Sequence, residues 1–235
     1  MFSMLRRMPL DPSMYTYRTY VVSAGDNFSA AKAVEFEGSL LNRNHKAKEQ
    51  GKKNNQPRDA STSDLGAVDH YTIVTVPRAR RVHQSYVTAP FSTLHCFWAC
   101  LRVLRGLHPD QNPLPRFIHS PYPDIILTNG PATAVCVILA AKTLRLVHYL
   151  LSIFPFGTPA GRKAEPRLTW DGQAPLDFQL RTIFVESWAR VTTLSLSGKL
   201  LLPFVDRLLV QWPALEGKVA WKGMRKTEYV GALVA

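Results

Sequence analysis

Charged and polar residues capable of binding or acid–base work are concentrated in "FVESWARVTTLSLSGKLL", where Glu186, Ser187 and Arg190 follow a short apolar run. A carboxylate and a guanidinium four residues apart suit two roles. They can be an exposed i,i+4 ion pair worth a few tenths of a kcal/mol, or two groups lining a crevice, the guanidinium giving charge-assisted hydrogen bonds to phosphate. "TNGPAT" is the second candidate. Asn129, Gly130 and Thr133 open a helix, as a tight strand-to-helix turn or as a backbone cradle for a diphosphate or sugar. "PRARR", with Arg78, and the helical series Lys142, Arg145 and His148 are solvated faces or contacts to anionic lipid headgroups. His83, His95, His108 and His119 have no partner at catalytic or metal spacing, and no GxSxG, Walker A or GxGxxG sequence occurs. The three cysteines, Cys96, Cys100 and Cys136, lie in apolar runs without CxxC or Cys/His spacing. They read as reduced core thiols, with neither zinc nor a disulfide framework implied.

These groups need a scaffold, and the pattern around them supplies one. Strands are expected at 71–76, 125–127, 182–185 and 208–210, with a β-rich run at "YRTYVVSAGD". Helical segments alternate with them. "MFSMLRRM" starts as a helix already under way, and "NFSAAKAVEFEGSLL" and "FSTLHCFWACLRVLRG" follow. In the last of these Leu94, Trp98 and Leu101 form one stripe, with Phe97 and Leu104 beside it, and read as its core face. The helix from Ala132 is apolar, yet Lys142 and Arg145 make it costly to place in a membrane, so it reads as non-transmembrane. Alternating strands and helices predict a Rossmann-like α/β fold with a parallel sheet, and ligands bind beyond the carboxyl ends of such strands. The polar and glycine residues collect there, at Ser23–Asp26, Pro77–Arg78, Asn129–Gly130, Glu186–Ser187 and Gln211–Trp212. Glu186 and Arg190 are therefore expected to line a common crevice.

Composition sets the outer bounds. A chain of 235 residues, 46% hydrophobic and 20% charged, is long enough for a substantial core. We expect a single domain over 1–235, with disordered insertions at 42–69 and 157–180. The formal charge of +12 points to a polyanionic partner, either a nucleic acid or a phosphorylated or membrane surface. Six of the basic residues lie between Arg43 and Arg58, without interleaved aromatics. A basic nucleic-acid-binding module is thus the rival reading, with no nucleic-acid motif behind it.

At "NGPAT", "FVESWARVTTLSLSGKLL" and "DRLLVQWP" the sequence resembles the asparagine-linked-glycosylation fourteen family. The resemblance spans Met1 to about Phe36, Tyr71 to Leu151 and Thr182 to Val234. It implies half of a split GT-B glycosyltransferase, similar to the amino-terminal half of MurG. Such a chain is the non-catalytic, membrane-recruiting subunit of a UDP-N-acetylglucosamine transferase, which adds the second GlcNAc to GlcNAc-diphosphodolichol in N-glycosylation. The implied partners are a separate catalytic thirteen subunit, the lipid diphosphate acceptor and the endoplasmic-reticulum membrane, on its cytosolic face and extending to the nuclear envelope. No cofactor and no nucleic acid are implied, and the chain would be inactive without its partner. Asn129, Gly130, Thr133, Glu186, Ser187 and Arg190 would hold acceptor or diphosphate, and Arg78, Lys142 and Arg145 would meet headgroups. Tyr229, Val230 and Leu233 would dock the partner, Tyr229 and Leu233 lying one helical turn apart. The family pattern also has a hydrophobic anchor, a first strand and a Gly-rich loop before the methionine at which this sequence starts, so an in-frame upstream extension is expected.

Overall fold

The computed structural model describes residues 2–7, 15–52, 71–80, 84, 88–113, 120, 122–130, 132–153, 180–222 and 224–233. Residues 53–70 and 154–179 hold most of the two expected insertions, which therefore fall largely outside the described residues. The chain divides into two compact units, 1–76 with 109–117, and 77–108 with 118–235.

In the first unit α1 (Phe2–Arg7) is followed by β1 (Arg18–Ser23), α2 (Asn27–Lys52) and β2 (Tyr71–Val76). β1 and β2 pair in parallel, from Arg18 opposite Tyr71 to Ser23 opposite Val76. Asp26 caps α2: its Oδ1 accepts the Ser29 amide at 3.1 Å, relieving a helix-start donor. Ala33, Phe36, Glu37 and Leu40 form the buried stripe of that helix. Glu37 is tolerated there because its carboxylate is fully engaged. Arg18 donates through Nε at 2.7 Å and NH2 at 2.8 Å, and the Tyr20 hydroxyl donates at 2.6 Å. Burial, with Glu37 alongside, holds the Tyr20 hydroxyl well above its ordinary pKa, so it remains a donor. The helix continues to Lys52, well past Asn42, where the sequence suggests that an aperiodic insertion begins.

The second unit contains α3 (Ala89–Leu104), β3 (Ile125–Asn129), α4 (Ala132–Ile153), β4 (Arg181–Val185), α5 (Leu196–Leu201), β5 (Arg207–Val210), a 3-10 turn at Pro213–Leu215, and β6 (Glu228–Tyr229). Its four strands form one parallel sheet in the order β3-β4-β5-β6. Their near-continuous apolar runs suit strands covered by helices, as βαβ crossovers require. Ala134 and Ile138 of α4 meet Phe184, Leu194, Leu201, Leu208 and Val210 in the core. The parallel sheets flanked by helices bear out the Rossmann-like α/β expectation.

The amino edge of this sheet is fastened by Asp206. Its carboxylate accepts from the Thr182 amide (2.8 Å) and hydroxyl (2.9 Å), from Lys142 Nζ (2.9 Å) and from Arg145 NH1 (2.9 Å). Burial alone would raise its pKa, but the Thr182 and Lys142 hydrogen bonds outweigh it and hold the carboxyl well below the usual range. The Lys142 pKa is lowered too: burial outweighs the raising effect of Asp206, and the neighbouring Arg145 and Arg225 add repulsion. A carboxyl depressed in the fold contributes stability that is fully present above its unfolded value of about 3.9 and is lost as pH falls through the folded value. Asp206→Asn is expected to lower the unfolding free energy by about 2 kcal/mol at neutral pH. The difference from wild type should shrink on acidification below about pH 4, as read by urea unfolding at several pH values.

Candidate functional site

The site is built from the carboxyl ends of β3, β4 and β5. Register places them side by side, with Asn129 opposite Val185 and Val185 opposite Leu209. The Glu186 amide extends the ladder to the Leu209 carbonyl at 2.9 Å. Asn129 is exposed, and Gly130 follows with φ +115°, a conformation L side chains rarely adopt. A Cβ at Gly130 would meet nothing within 4 Å, so its backbone angle, not crowding, calls for glycine. α4 begins two residues later, and Thr133 is half-buried in its first turn.

Glu186 does not face the crevice as the sequence suggests. It is 1% exposed, and its carboxylate points into the loop that connects β4 to α5. Oε1 accepts the Ser187 amide at 2.9 Å, and Oε2 accepts both the Ser195 amide and the Ser195 hydroxyl at 3.0 Å. Ser195 is in turn the N-cap of α5, its Oγ accepting the Gly198 amide at 2.9 Å. Gly198 is needed for space, because a Cβ there would lie 2.2 Å from Glu186 Oε2. The i,i+4 pair with Arg190 does not form either: residues 188–193 are turn and bend rather than helix. Arg190 is exposed, its amide closing a turn onto the Ser187 carbonyl at 3.0 Å. Glu186 thus holds the loop on which the exposed Ser187 and Arg190 are displayed.

Two further side chains tie this loop to β5. Gln211 Nε2 donates to the Glu186 carbonyl at 3.0 Å, and Trp212 Nε1 donates to the Trp188 carbonyl at 2.8 Å. The two indoles pack with centroids 4.5 Å apart. Ser195 and Gln211 as anchors escaped the sequence reading. The Ser-Leu-Ser-Gly order after the motif was the available signal, since a serine N-cap bonds the amide three residues on.

Other expectations are corrected by the packing. Lys142 and Arg145 are half-buried and bound to Asp206, so they fasten the amino edge of the sheet instead of forming a row toward solvent. Arg78 is exposed. The stripe of Leu94, Trp98 and Leu101 is not the core face of α3: Leu94 is 65% and Trp98 62% exposed, and Phe91 is 75% exposed on the same side. The buried face is Cys96, Ala99, Cys100, Val103 and Leu104, packed on α4. Small residues let the helices approach, and Cys136 Sγ lies 3.7 Å from the Thr93 carbonyl. The three thiols are free and buried, as expected. Hydrogen bonding with Cys100, together with burial, pushes Cys96 up to about 12, and its neighbour Cys96 raises Cys136 likewise. Among the described residues no group of three or more His, Cys, Asp or Glu could hold a metal. α4 is long and apolar enough to cross a membrane, but Ala134, Val137, Ile138, Ala140 and Ala141 are buried within this unit.

The carboxyl-terminal tail is also not helical. Glu228–Tyr229 forms β6, parallel to β5, and the Val230 amide bonds the Val210 carbonyl at 3.1 Å. Tyr229 and Leu233 are therefore not one helical turn apart. Leu233 is half-buried and its amide donates to Gln211 Oε1 at 3.2 Å. Tyr229 and Val230 keep 42% and 38% of their surface exposed.

Residues 1–233 match the family model described as "Oligosaccharide biosynthesis protein Alg14 like". The chain is 63% identical to the UDP-N-acetylglucosamine transferase subunit alg14 of Aspergillus fumigatus, over the whole of both chains. It is 32% identical to the subunit of the same name from Schizosaccharomyces pombe, over 94% of this chain and 72% of that one. The Homo sapiens subunit is 30% identical over 94% of this chain and 71% of its own length. No solved structure matches. With the ESWAR loop, its Ser195 cap and the VQWP strand end inside a match that runs nearly end to end, the chain belongs to the Alg14 family of oligosaccharide biosynthesis proteins.

Proposed function

We propose that this chain is the non-catalytic, acceptor-side subunit of a UDP-N-acetylglucosamine transferase, working on the cytosolic face of the endoplasmic-reticulum membrane. It recruits a separate catalytic chain, the thirteen subunit, and presents GlcNAc-diphosphodolichol for addition of the second GlcNAc. Identity of 63% over the full length to a relative named as a UDP-N-acetylglucosamine transferase subunit supports the reading. The relatives compared give the nucleic-acid alternative no support. In this role the exposed Arg190 meets the acceptor diphosphate, with charge-assisted bonds to its oxygens. Asn129, Gly130, Thr133 and the amides opening α4 add donors at a helix start, where anions are favoured. Ser187 is exposed two residues past the end of β4, and Tyr229 and Val230 offer apolar surface to the partner.

The test is transfer of labelled GlcNAc from UDP-GlcNAc to GlcNAc-diphosphodolichol in detergent. The chain together with the catalytic subunit should be active and the chain alone inactive; activity of this chain alone, or none in the complex, would overturn the reading.

The exposed row Phe91, Leu94 and Trp98 supports membrane contact. Three large apolar side chains on one helix face, with exposed Arg102 and Arg105 at its end, suit an anionic lipid interface. Replacing all three with serine should lower binding to vesicles containing anionic lipid by tenfold or more, since burying each such side chain contributes about 1.5–3 kcal/mol. The melting temperature should hardly move, because these side chains lie outside the core. Flotation with vesicles and a thermal scan of the same variant check both.

A further inference from the structure

Gln211 is 3% exposed at the carboxyl end of β5 and is not itself accessible to a ligand. Both ends of its amide are used, and its orientation is set by its partners. Nε2 donates to the Glu186 carbonyl at 3.0 Å, and Oε1 accepts the Leu233 amide at 3.2 Å. Turning the amide over would set oxygen against carbonyl and NH2 against N–H.

These two partners belong to different parts of the site. Glu186 roots the loop that displays Ser187 and Arg190, and its carboxylate is already committed within that loop to Ser187 and Ser195. Leu233 belongs to the tail. After the last ladder bond, from the Val230 amide to the Val210 carbonyl, Gly231 takes φ +75° and turns the chain so that the Leu233 amide reaches Gln211. The exposed Tyr229 and Val230 lie just before that turn. A single buried amide therefore joins the Arg190 loop to the tail.

We infer that Gln211 is a positioning residue that couples the two surfaces, so that seating the partner on the tail and binding the acceptor diphosphate at the Arg190 loop favour one another. The inference rests on the function proposed above, which places the acceptor at that loop and the partner at the tail. A shift of the tail reaches the loop through two hydrogen bonds and one rigid side chain, and a shift of the loop returns by the same route. Coupling of this kind is reciprocal: acceptor tightens partner binding by the factor by which partner tightens acceptor binding.

The experiment measures the dissociation constant of the catalytic subunit for this chain, with and without a saturating probe, GlcNAc-diphosphate on a short isoprenoid chain. Wild type is expected to bind its partner at least about fivefold more tightly with the probe present. Gln211→Leu keeps the approximate volume and loses both bonds, so the factor should fall to about one, with a raised KM for acceptor and a smaller change in kcat. Gln211→Met keeps the unbranched shape, loses both bonds and buries no charge. It should bind partner nearly as wild type does without the probe, yet also lose the coupling, which keeps the test decisive if the leucine variant folds poorly. A wild-type factor of one overturns the inference, as does a folded variant that only melts earlier while the factor persists. Absence of transfer by the wild-type complex overturns the functional reading itself, whereas transfer without coupling overturns only this inference.

Discussion

Replacing Arg190 with alanine in the complete complex is expected to lower transfer by tenfold or more while leaving partner binding unchanged. A charge-assisted hydrogen bond contributes roughly 1.5–3 kcal/mol, and tenfold in rate requires only about 1.4 kcal/mol. The side chain is exposed and lies outside the core, so its removal should not disturb folding. Arg190→Lys tests geometry as well as charge, because a point ammonium cannot reproduce the two-pronged contact a guanidinium makes with phosphate oxygens. It should recover part of the loss. An alanine variant with normal transfer and a lowered melting temperature would assign Arg190 to the fold instead. Steady-state kinetics with varied acceptor, beside a thermal scan, separate these outcomes.

Glu186→Ala is expected to be the most damaging single change to stability in the second unit. It leaves the amides of Ser187 and Ser195 without their acceptor in a partly buried setting, and it frees the Ser195 hydroxyl that caps α5. Two orphaned donors at about 1–3 kcal/mol each give roughly 3 kcal/mol or more. In a chain of this size that corresponds to a fall in melting temperature of roughly 6–12 °C. Gly198→Ala attacks the same contact from the other side, since the new methyl must displace Glu186 Oε2. If the two substitutions act through this one contact, the double variant should be less destabilised than the sum of the singles. Additive losses in urea unfolding would show that they are independent.

The strands were largely legible in the sequence because buried parallel strands are short, apolar and bounded by turn residues. β2 occupies Tyr71–Val76 as expected, and β4 and β5 each begin one residue earlier than read. The α4 helix and the Asn129–Gly130 turn were equally readable from composition and spacing. The face of α3 was not. That helix is apolar nearly all round, so period alone offers several stripes, and the sequence reading chose the one with the largest side chains. Packing against α4 chose the small ones instead, because Cys96, Ala99 and Cys100 allow the two helices to approach.

The sequence by itself determined the α/β alternation, the family and which loop carries the polar groups, since periodicity and motif are properties of neighbouring residues. Only the tertiary structure decided which way those groups point. Glu186 turned inward because Ser195, nine residues on, brings an amide and a hydroxyl to it. Lys142 and Arg145 turned to Asp206, more than sixty residues away in sequence. The tail became a strand because the edge of β5 offered it unpaired carbonyls. In each case the deciding partner is a donor or acceptor from outside the local element, nine to more than sixty residues away. A local pattern carries no record of it, whereas leaving such a group unpaired costs about 1–3 kcal/mol.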